Sequence, residues 1–255
     1  MISMYTIYKY IFHGALLFYI ISAYLNHSLV FNGWIPFDWT ASKSKYWFAF
    51  LYQSVSTFFI VIQNVSNDIY PCTYISLFKG HLQALGMRIK RIGYGGKNST
   101  TENYRELVKC IKDHEQLLDF FNYMKVVISQ TLFLQFIVTG FALCTTAVYF
   151  VKYSSGVLEI FVAVSYSMVL VCEALPCCYL MSGLMQKSDE FVTNIYSCNW
   201  IDQDKRFRIT ILMFMQKCQK QLNIVAGGLF PITLETYIQI SKFSFSMFTI
   251  LKNMK

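Results

Sequence analysis

Along the chain, apolar residues gather into long runs separated by stretches in which charge and helical periodicity alternate. A helix needs about 20 mainly apolar residues to cross a bilayer, and five runs are long enough: 11–31, 46–66, 126–151, 157–181 and 224–251. The fourth contains Glu159, Glu173 and Pro176, and the fifth contains Glu235 and Lys242. Charges inside a span face protein or a water-filled cavity, so neither helix is expected to meet lipid all round. The two long stretches between runs, 67–125 and 182–223, are polar but patterned. Leu77, Phe78, Leu82, Leu85, Ile89 and Ile92 keep the spacing of one helical face, so the second span is expected to continue below the membrane until GYGGKNST breaks it. Beyond the break, Tyr104, Leu107, Val108, Ile111, Leu118 and Phe121 line one face of a helix leading into the third span, with Glu106, Lys109, Lys112, Asp113 and Glu115 off it. Two amphipathic helices of this kind need partners for their apolar faces, either each other or another subunit.

Composition narrows the class. Of 255 residues, 55% are hydrophobic, 18% aromatic and only 14% charged, where a soluble domain carries about 25% charged residues. That excludes an ordinary soluble enzyme, a disordered chain and a fibrous repeat. The net charge of +8 reads as a topology signal because of where it lies. Nine basic residues (Lys79, Arg88, Lys90, Arg91, Lys97, Arg105, Lys109, Lys112, Lys125) fall in the first long stretch. Six (Lys187, Lys205, Arg206, Arg208, Lys217, Lys220) fall in the second, against three (Lys43, Lys45, Lys152) in the alternate loops. Basic residues collect in cytoplasmic loops. The expectation is a multi-pass plasma-membrane protein with its N-terminus inside, its C-terminus outside and no nucleic-acid partner. No small-residue cleavage site follows a short apolar core near Met1, so the first run reads as a span and not a signal peptide.

Candidate chemistry is sparse. The eight cysteines (72, 110, 144, 172, 177, 178, 198, 218) form no C-x-x-C, the four histidines (13, 27, 81, 114) show no ligand spacing, and there is no P-loop or nucleophile with a recognisable base. No metal, cofactor or enzymatic activity is expected.

The C-terminal third is specific. Ser188 and Glu190 precede the pair Ile195-Tyr196, and Trp200, a basic stretch, FMQKCQ, AGGLFPITLETY and a closing aromatic-serine segment follow in order. Upstream stand GWIPFDW, YWFAFLYQ and DIYPCTYISLFKGHLQALGMRIKRIG. In order and spacing these segments resemble the insect odorant receptors over essentially the whole chain. The resemblance implies an all-α polytopic membrane fold of seven membrane helices, with residues 11–31 similar to the third. The chain is then expected to hold five transmembrane helices, three to seven, in one transmembrane domain with cytoplasmic helical anchor extensions. Met1 reads either as an internal methionine of a longer protein or as a true start.

The resemblance further implies a tetrameric ligand-gated cation channel of sensory-neuron dendrites, built with an odorant co-receptor subunit, embedded in membrane lipid and opened by a small volatile odorant. Each chain would give its last helix to the pore. Ser246, Ile250, Asn253 and Met254 share one helical face, and a bulky apolar residue beside a polar one suits a gate, so Ile250, Asn253 and Met254 are the pore candidates. Lys242 on the same face is at odds with cation passage unless it borders a wide vestibule or pairs with an acid; ordinary packing with a frayed polar end is the competing reading. The implied ligand pocket lies in the outer half of the membrane among helices two, three, four and six. An apolar, aromatic lining with a few polar groups points to Tyr19, Ser22, Ala23, Asn26, Phe48, Tyr52, Val162, Ser165 and Tyr166, each of which alone is also consistent with plain packing. Tyr196, Trp200 and Asp202 fall where the resemblance implies a subunit anchor, and aromatic residues suit such an interface; the alternative sets Trp200 at headgroup level. Two other functions compete. A gustatory receptor of the same superfamily would close on a Thr-Tyr pair, an apolar run and Gln-Phe, where this chain reads SFSMFTILKNMK. A small secondary transporter would show two related halves with broken helices, and no internal repeat is visible.

Overall fold

The computed structural model describes residues 10, 13, 14, 16, 17, 20–31, 33–94, 99–153, 157–239, 242 and 246. Its elements in order are a first helix, α1, whose described helical residues end at 25, then α2 (Lys43–Lys90), α3 (Thr100–Tyr153), α4 (Val157–Tyr196) and α5 (Lys205–Cys218). A hairpin of β1 (Val225–Ala226) and β2 (Phe230–Pro231) follows, and then a last helix, α6, over 234–239. The contacts group into two compact units, Met1–Tyr70 and Pro71–Lys255. The division falls inside α2, at a proline that the helix runs through with the loss of one backbone hydrogen bond.

Helix length is the first physical constraint. At about 1.5 Å per residue, the 48 residues of α2 and 54 of α3 extend roughly 70 and 80 Å, against a hydrocarbon layer of about 30 Å. Each helix must therefore run far outside any bilayer it crosses, as the paired stripes below the second and third spans led us to expect. Among the described residues, α2 and the Thr100–Thr146 part of α3 are long and apolar enough to cross a membrane, and only 22% of the most apolar stretch of each is buried within the chain. The core helix of a soluble protein would hide that surface; here Leu51, Val55, Phe59, Leu134, Val138 and Phe141 are exposed.

In the first unit α1 ends in a left-handed cap. His27 has φ +48, its amide donates to the Tyr24 carbonyl at 3.2 Å and that of Ser28 to Ala23 at 3.0 Å, which satisfies carbonyls that a helix end leaves orphaned. Ala23, Leu29, Val30, Ala49 and Phe50 form the core beneath this turn. The loop is tied to α2 by Gln53, whose side-chain amide both donates to the carbonyl and accepts from the amide of Phe31, each at 3.0 Å.

In the second unit α3 packs on α4, α5 and β1, and α4 packs on α5. On α2 and the turn that follows it the buried stripe is Ile75, Phe78, Leu82, Leu85, Ile89 and Ile92, while Leu77 is 51% exposed. On α3 it is Leu107, Cys110, His114, Phe121, Met124, Ile128 and Leu132. Tyr104, Val108, Ile111 and Leu118 are half-buried flanks of that stripe. The face is rotated from the one its large apolar residues alone suggest, because neighbours on several sides close around the small Cys110 and the flat ring of His114.

The apolar run over 224–251 does not begin as a helix. Gly227 and Gly228 take φ +56 and +74, a region open to glycine at little cost, and β1 pairs antiparallel with β2 so that Val225 faces Pro231 and Ala226 faces Phe230. Gly227 also lies against α3, where an added Cβ would stand 2.5 Å from the Phe133 ring. Gly228 has open space around it. Gly228→Ala is expected to destabilise by about 1 kcal/mol from backbone strain, and Gly227→Ala by about 2 kcal/mol or more because the clash adds to it. Thermal unfolding followed by fluorescence-detected size-exclusion chromatography in detergent compares the two, and equal losses would move Phe133 away from the turn.

Candidate functional site

Three helices converge on one side chain in the stretch expected to lie below the membrane. His114 of α3 is 4% exposed. Its ring lies parallel to Phe191 of α4, with centroids 5.2 Å apart and planes 7° apart, and Phe214 of α5 meets it edge-on at 5.2 Å. Phe191 and Phe214 are themselves perpendicular at 6.2 Å. His114 Nε2 stands 3.9 Å from Cys218 Sγ, and among the described residues its Nδ1 has no hydrogen-bond partner. Burial, helped by the nearby Lys217 ammonium and opposed by Glu115, pushes the imidazole down to about 4, so it is neutral in the fold. Burial also pushes the Cys110 thiol up to about 11 and that of Cys218 to about 12, which keeps both as inert thiols.

Polar contacts ring this core. Arg88 of α2 spans two carboxylates of α3, Nε to Glu106 and Nη1 to Asp113, both at 2.6 Å. Lys217 reaches Glu115 at 3.0 Å, and the Arg206 guanidinium sits 4.5 Å above the Tyr104 ring. Exposed pairs like these contribute about 0–1 kcal/mol each, and their effect is to fix register. Deeper, Asn103 donates to Gln203 at 3.2 Å. The turn after α4 is held by Asn199, whose amide donates to the Ile92 carbonyl at 3.2 Å. Gly93 (φ +85) permits that approach, since a Cβ there would stand 2.7 Å from the Asn199 carbonyl. Asp204 then caps α5 by accepting from the Phe207 amide.

The entry to the last helix is built from hydroxyls. Ser129 of α3 donates to the Val225 carbonyl at 2.5 Å and accepts from the Gly227 amide at 3.1 Å. Thr233 accepts from the Thr236 amide at 3.2 Å, and Ser182 of α4 accepts from the Leu234 amide at 3.0 Å. Two amides that a helix N-terminus leaves unpaired are thereby satisfied.

Against this frame the expected site residues distribute as follows. Tyr196 and Trp200 come together, rings 6.2 Å apart, with Trp200 Nε1 donating to the Tyr196 carbonyl at 3.2 Å. Asp202 is exposed in the turn that follows. Of the ligand candidates in the first unit, Ala23 belongs to the core, Ser22 is half-buried and Asn26 is exposed at the end of α1. Phe48 and Tyr52 are exposed one turn apart on α2, with Phe48 against Phe37. Val162, Ser165 and Tyr166 lie on α4, their side chains outside the described ones, and Tyr19, Ile250, Asn253 and Met254 lie outside the described residues. Lys242 and Ser246 are both helical and exposed. His114, the Asn103–Gln203 pair and the hydroxyl pins at Ser129 and Ser182 were not picked out from the sequence. His114 was detectable, since it stands seven residues from both Leu107 and Phe121 and so on their face.

Long apolar helices that stay largely uncovered within the chain, joined to a packed helical bundle, define a polytopic all-α membrane protein. The chain matches the family described as 7tm Odorant receptor over residues 1–245, and it belongs to that family. Among relatives, it is 28% identical to Odorant receptor 59b of Drosophila melanogaster, covering 97% of this chain and 62% of that one. It is 34% identical to Odorant receptor 42a of the same species, covering 75% and 47%. It therefore spans about half to two thirds of the length of these relatives. The olfactory receptor OR5 of the insect Machilis hrabei has the same fold, with a TM-score of 0.73 at 17% identity over 100% of this chain and 68% of that one. The family is one of receptors, so the chain is not an enzyme, and the gustatory and transporter readings fall away.

The buried imidazole makes a pH prediction. Its folded value, about 4, lies below its ordinary value of 6.5, so the unfolded chain binds more protons between them. The stabilisation is complete above pH 6.5 and is lost as pH falls toward 4, by about 3 kcal/mol in all. Melting curves in detergent at pH 7 and pH 5 are expected to diverge less for His114→Leu than for the wild type; the same divergence in both would assign the titration to another group.

Proposed function

We propose that the chain is a subunit of an odorant-gated cation channel, with its long stretches cytoplasmic, its N-terminus inside and its C-terminus outside, in the dendritic membrane of a sensory neuron. A volatile ligand binds in the outer half of the membrane, lined by residues from the set Tyr19, Ser22, Asn26, Phe48, Tyr52, Val162, Ser165 and Tyr166. Binding tighter to the open form shifts the closed-to-open equilibrium. The last helix widens to pass cations, with Ile250 and Met254 as the apolar constriction and Asn253 as the polar residue beside it. The first four apolar runs and the helical part of the fifth, beyond the hairpin, serve as transmembrane helices, and the partner subunit is an odorant co-receptor.

The observation that carries the assembly reading is the two-faced character of α5. Phe207, Ile211, Phe214 and Cys218 are buried in the bundle. Ile209, Leu212 and Met213 are exposed on the same helix, and Tyr196 (59% exposed) and Ile201 are exposed beside its start. An apolar face left open on a packed bundle suits contact with further subunits.

Two measurements test this. In channels formed by the complete receptor with its co-receptor, cysteine at Ile250 or Met254 is expected to react with applied thiol reagents faster when an activating odorant is present, and equal rates in both states would remove these residues from the gate. Tyr196→Asp or Trp200→Asp would bury an unpaired charge at a cost of about 2 kcal/mol or more, so the tetramer band on a native gel is expected to weaken. An unchanged tetramer would move both residues to the lipid surface.

A further inference from the structure

Among the described residues, cavities on the bundle of the second unit differ in charge. The first, about 450 Å³ between α2 and α3, is lined by Arg88 and Arg91 together with Glu106. The second, about 370 Å³, pairs Arg88 with Asp113. The third, about 250 Å³, lies where α3, α4 and the residues following α5 meet; Lys125, Lys217 and Lys220 line it, and no carboxylate does. Glu115 reaches Lys217 at 3.0 Å but is not part of the lining. Among the described residues, Lys125 and Lys220 have no acidic partner.

The inner wall adds a neutral donor. Ser188 is 5% exposed and lines the cavity. Like charges gathered around one cavity repel each other unless an anion joins them.

We propose that this cavity binds a phosphate monoester. Lys125 and Lys220 supply charge-assisted hydrogen bonds, and Ser188 Oγ donates from the inner wall. Several cations and a neutral donor match a group carrying close to two charges and three strong acceptor oxygens better than a carboxylate with one charge and two oxygens. The volume exceeds that of a bare phosphate and leaves room for the esterified group. Lys125 stands immediately before the apolar run of α3, a position that a lipid headgroup and a soluble ester can both reach. The inference rests on the bundle alone and is independent of how the channel opens.

The test uses the full chain in detergent and native mass spectrometry of bound adducts. It is titrated with dioctanoyl phosphatidylinositol 4-phosphate, with inositol 1,4-bisphosphate, which has no tails, and with dioctanoyl phosphatidylcholine as the control lacking a monoester. Binding of a monoester ligand in preference to the control is expected, with affinity reduced at least about tenfold in Lys125→Gln/Lys220→Gln. These lysines lie at the rim, and Ser188→Ala gives a second, near-isosteric variant whose affinity is also expected to fall. Equal binding of both monoesters supports a soluble ester as the occupant, and binding of the lipid alone supports a headgroup. Absence of binding by both monoesters, or affinity unchanged in the double variant, overturns the proposal.

Discussion

The second unit depends on one three-way contact, the meeting of His114, Phe191 and Phe214. Aromatic pairs in such arrangements contribute about 0.5–1.5 kcal/mol each beyond the area they bury, but their position matters more than their sum. They join α3, α4 and α5 at a single level. With α5 fixed there, the chain leaving Cys218 has a short path to the hairpin, which Ser129 holds on α3. The hairpin then delivers Leu234 to Ser182 of α4. The start of the last helix is thus determined by contacts with the same two helices that the aromatic contact brings together.

Much of this arrangement was legible in the sequence, and the parts that were not share a cause. The continuity of α2 and α3 could be read because GYGGKNST is the one strong break in a long periodic stretch, and the α2 stripe from Phe78 to Ile92 is buried as its spacing implied. The α3 stripe was read one step off, because large apolar residues were taken as its centre while Cys110 and His114 occupy it. A histidine counts as polar in any periodicity argument; only the rings of Phe191 and Phe214, far away in sequence, make this site suitable for it. The hairpin escaped for a related reason. The run from 224 meets the length and polarity criteria for a span even though it opens with adjacent Gly227 and Gly228 and then Pro231. What departs from a helix there is the left-handed backbone of Gly227 and Gly228, and the close approach of Gly227 to Phe133 is a contact no local pattern records. Ala23 shows the limit on the ligand set, since a small residue at the right depth and spacing is here a core residue.

Backbone satisfaction explains where hydroxyl and amide side chains fall. Long helices satisfy their own polar groups, which is what a membrane demands, and hydroxyls within them, such as Ser54, Thr57 and Thr131, bond the carbonyl one turn back; bonds from side chains to the backbone of another element are found where a helix stops. Gln53 meets both backbone groups of Phe31 after α1 ends, Asn199 donates to the Gly93 carbonyl after α2 ends, Asp204 caps α5, and Ser129, Ser182 and Thr233 serve the hairpin and the helix that follows it. Each irregular segment in the described chain is therefore accompanied by a specific polar residue on a neighbouring or adjoining element.

These two kinds of contact differ in strength, and on the proposed channel reading that difference decides which element can move. The aromatic contact sits among fully buried side chains such as Leu107, Leu184, Phe207 and Ile211, and opening it would expose a large apolar area at about 25 cal/mol per Å². The hairpin buries Ile224, Ala226 and Ile232, whereas the first turn of the last helix is tied to α4 by a hydroxyl–backbone bond from Ser182, of a kind that contributes about 1 kcal/mol net. A ligand shifts an equilibrium only by its differential affinity for the two states, commonly about 1–3 kcal/mol. That is enough to rearrange hydroxyl pins and too little to separate the packed helices. On that reading, gating by a small apolar ligand calls for a last helix that shifts on its hydroxyl pins while α3, α4 and α5 remain together.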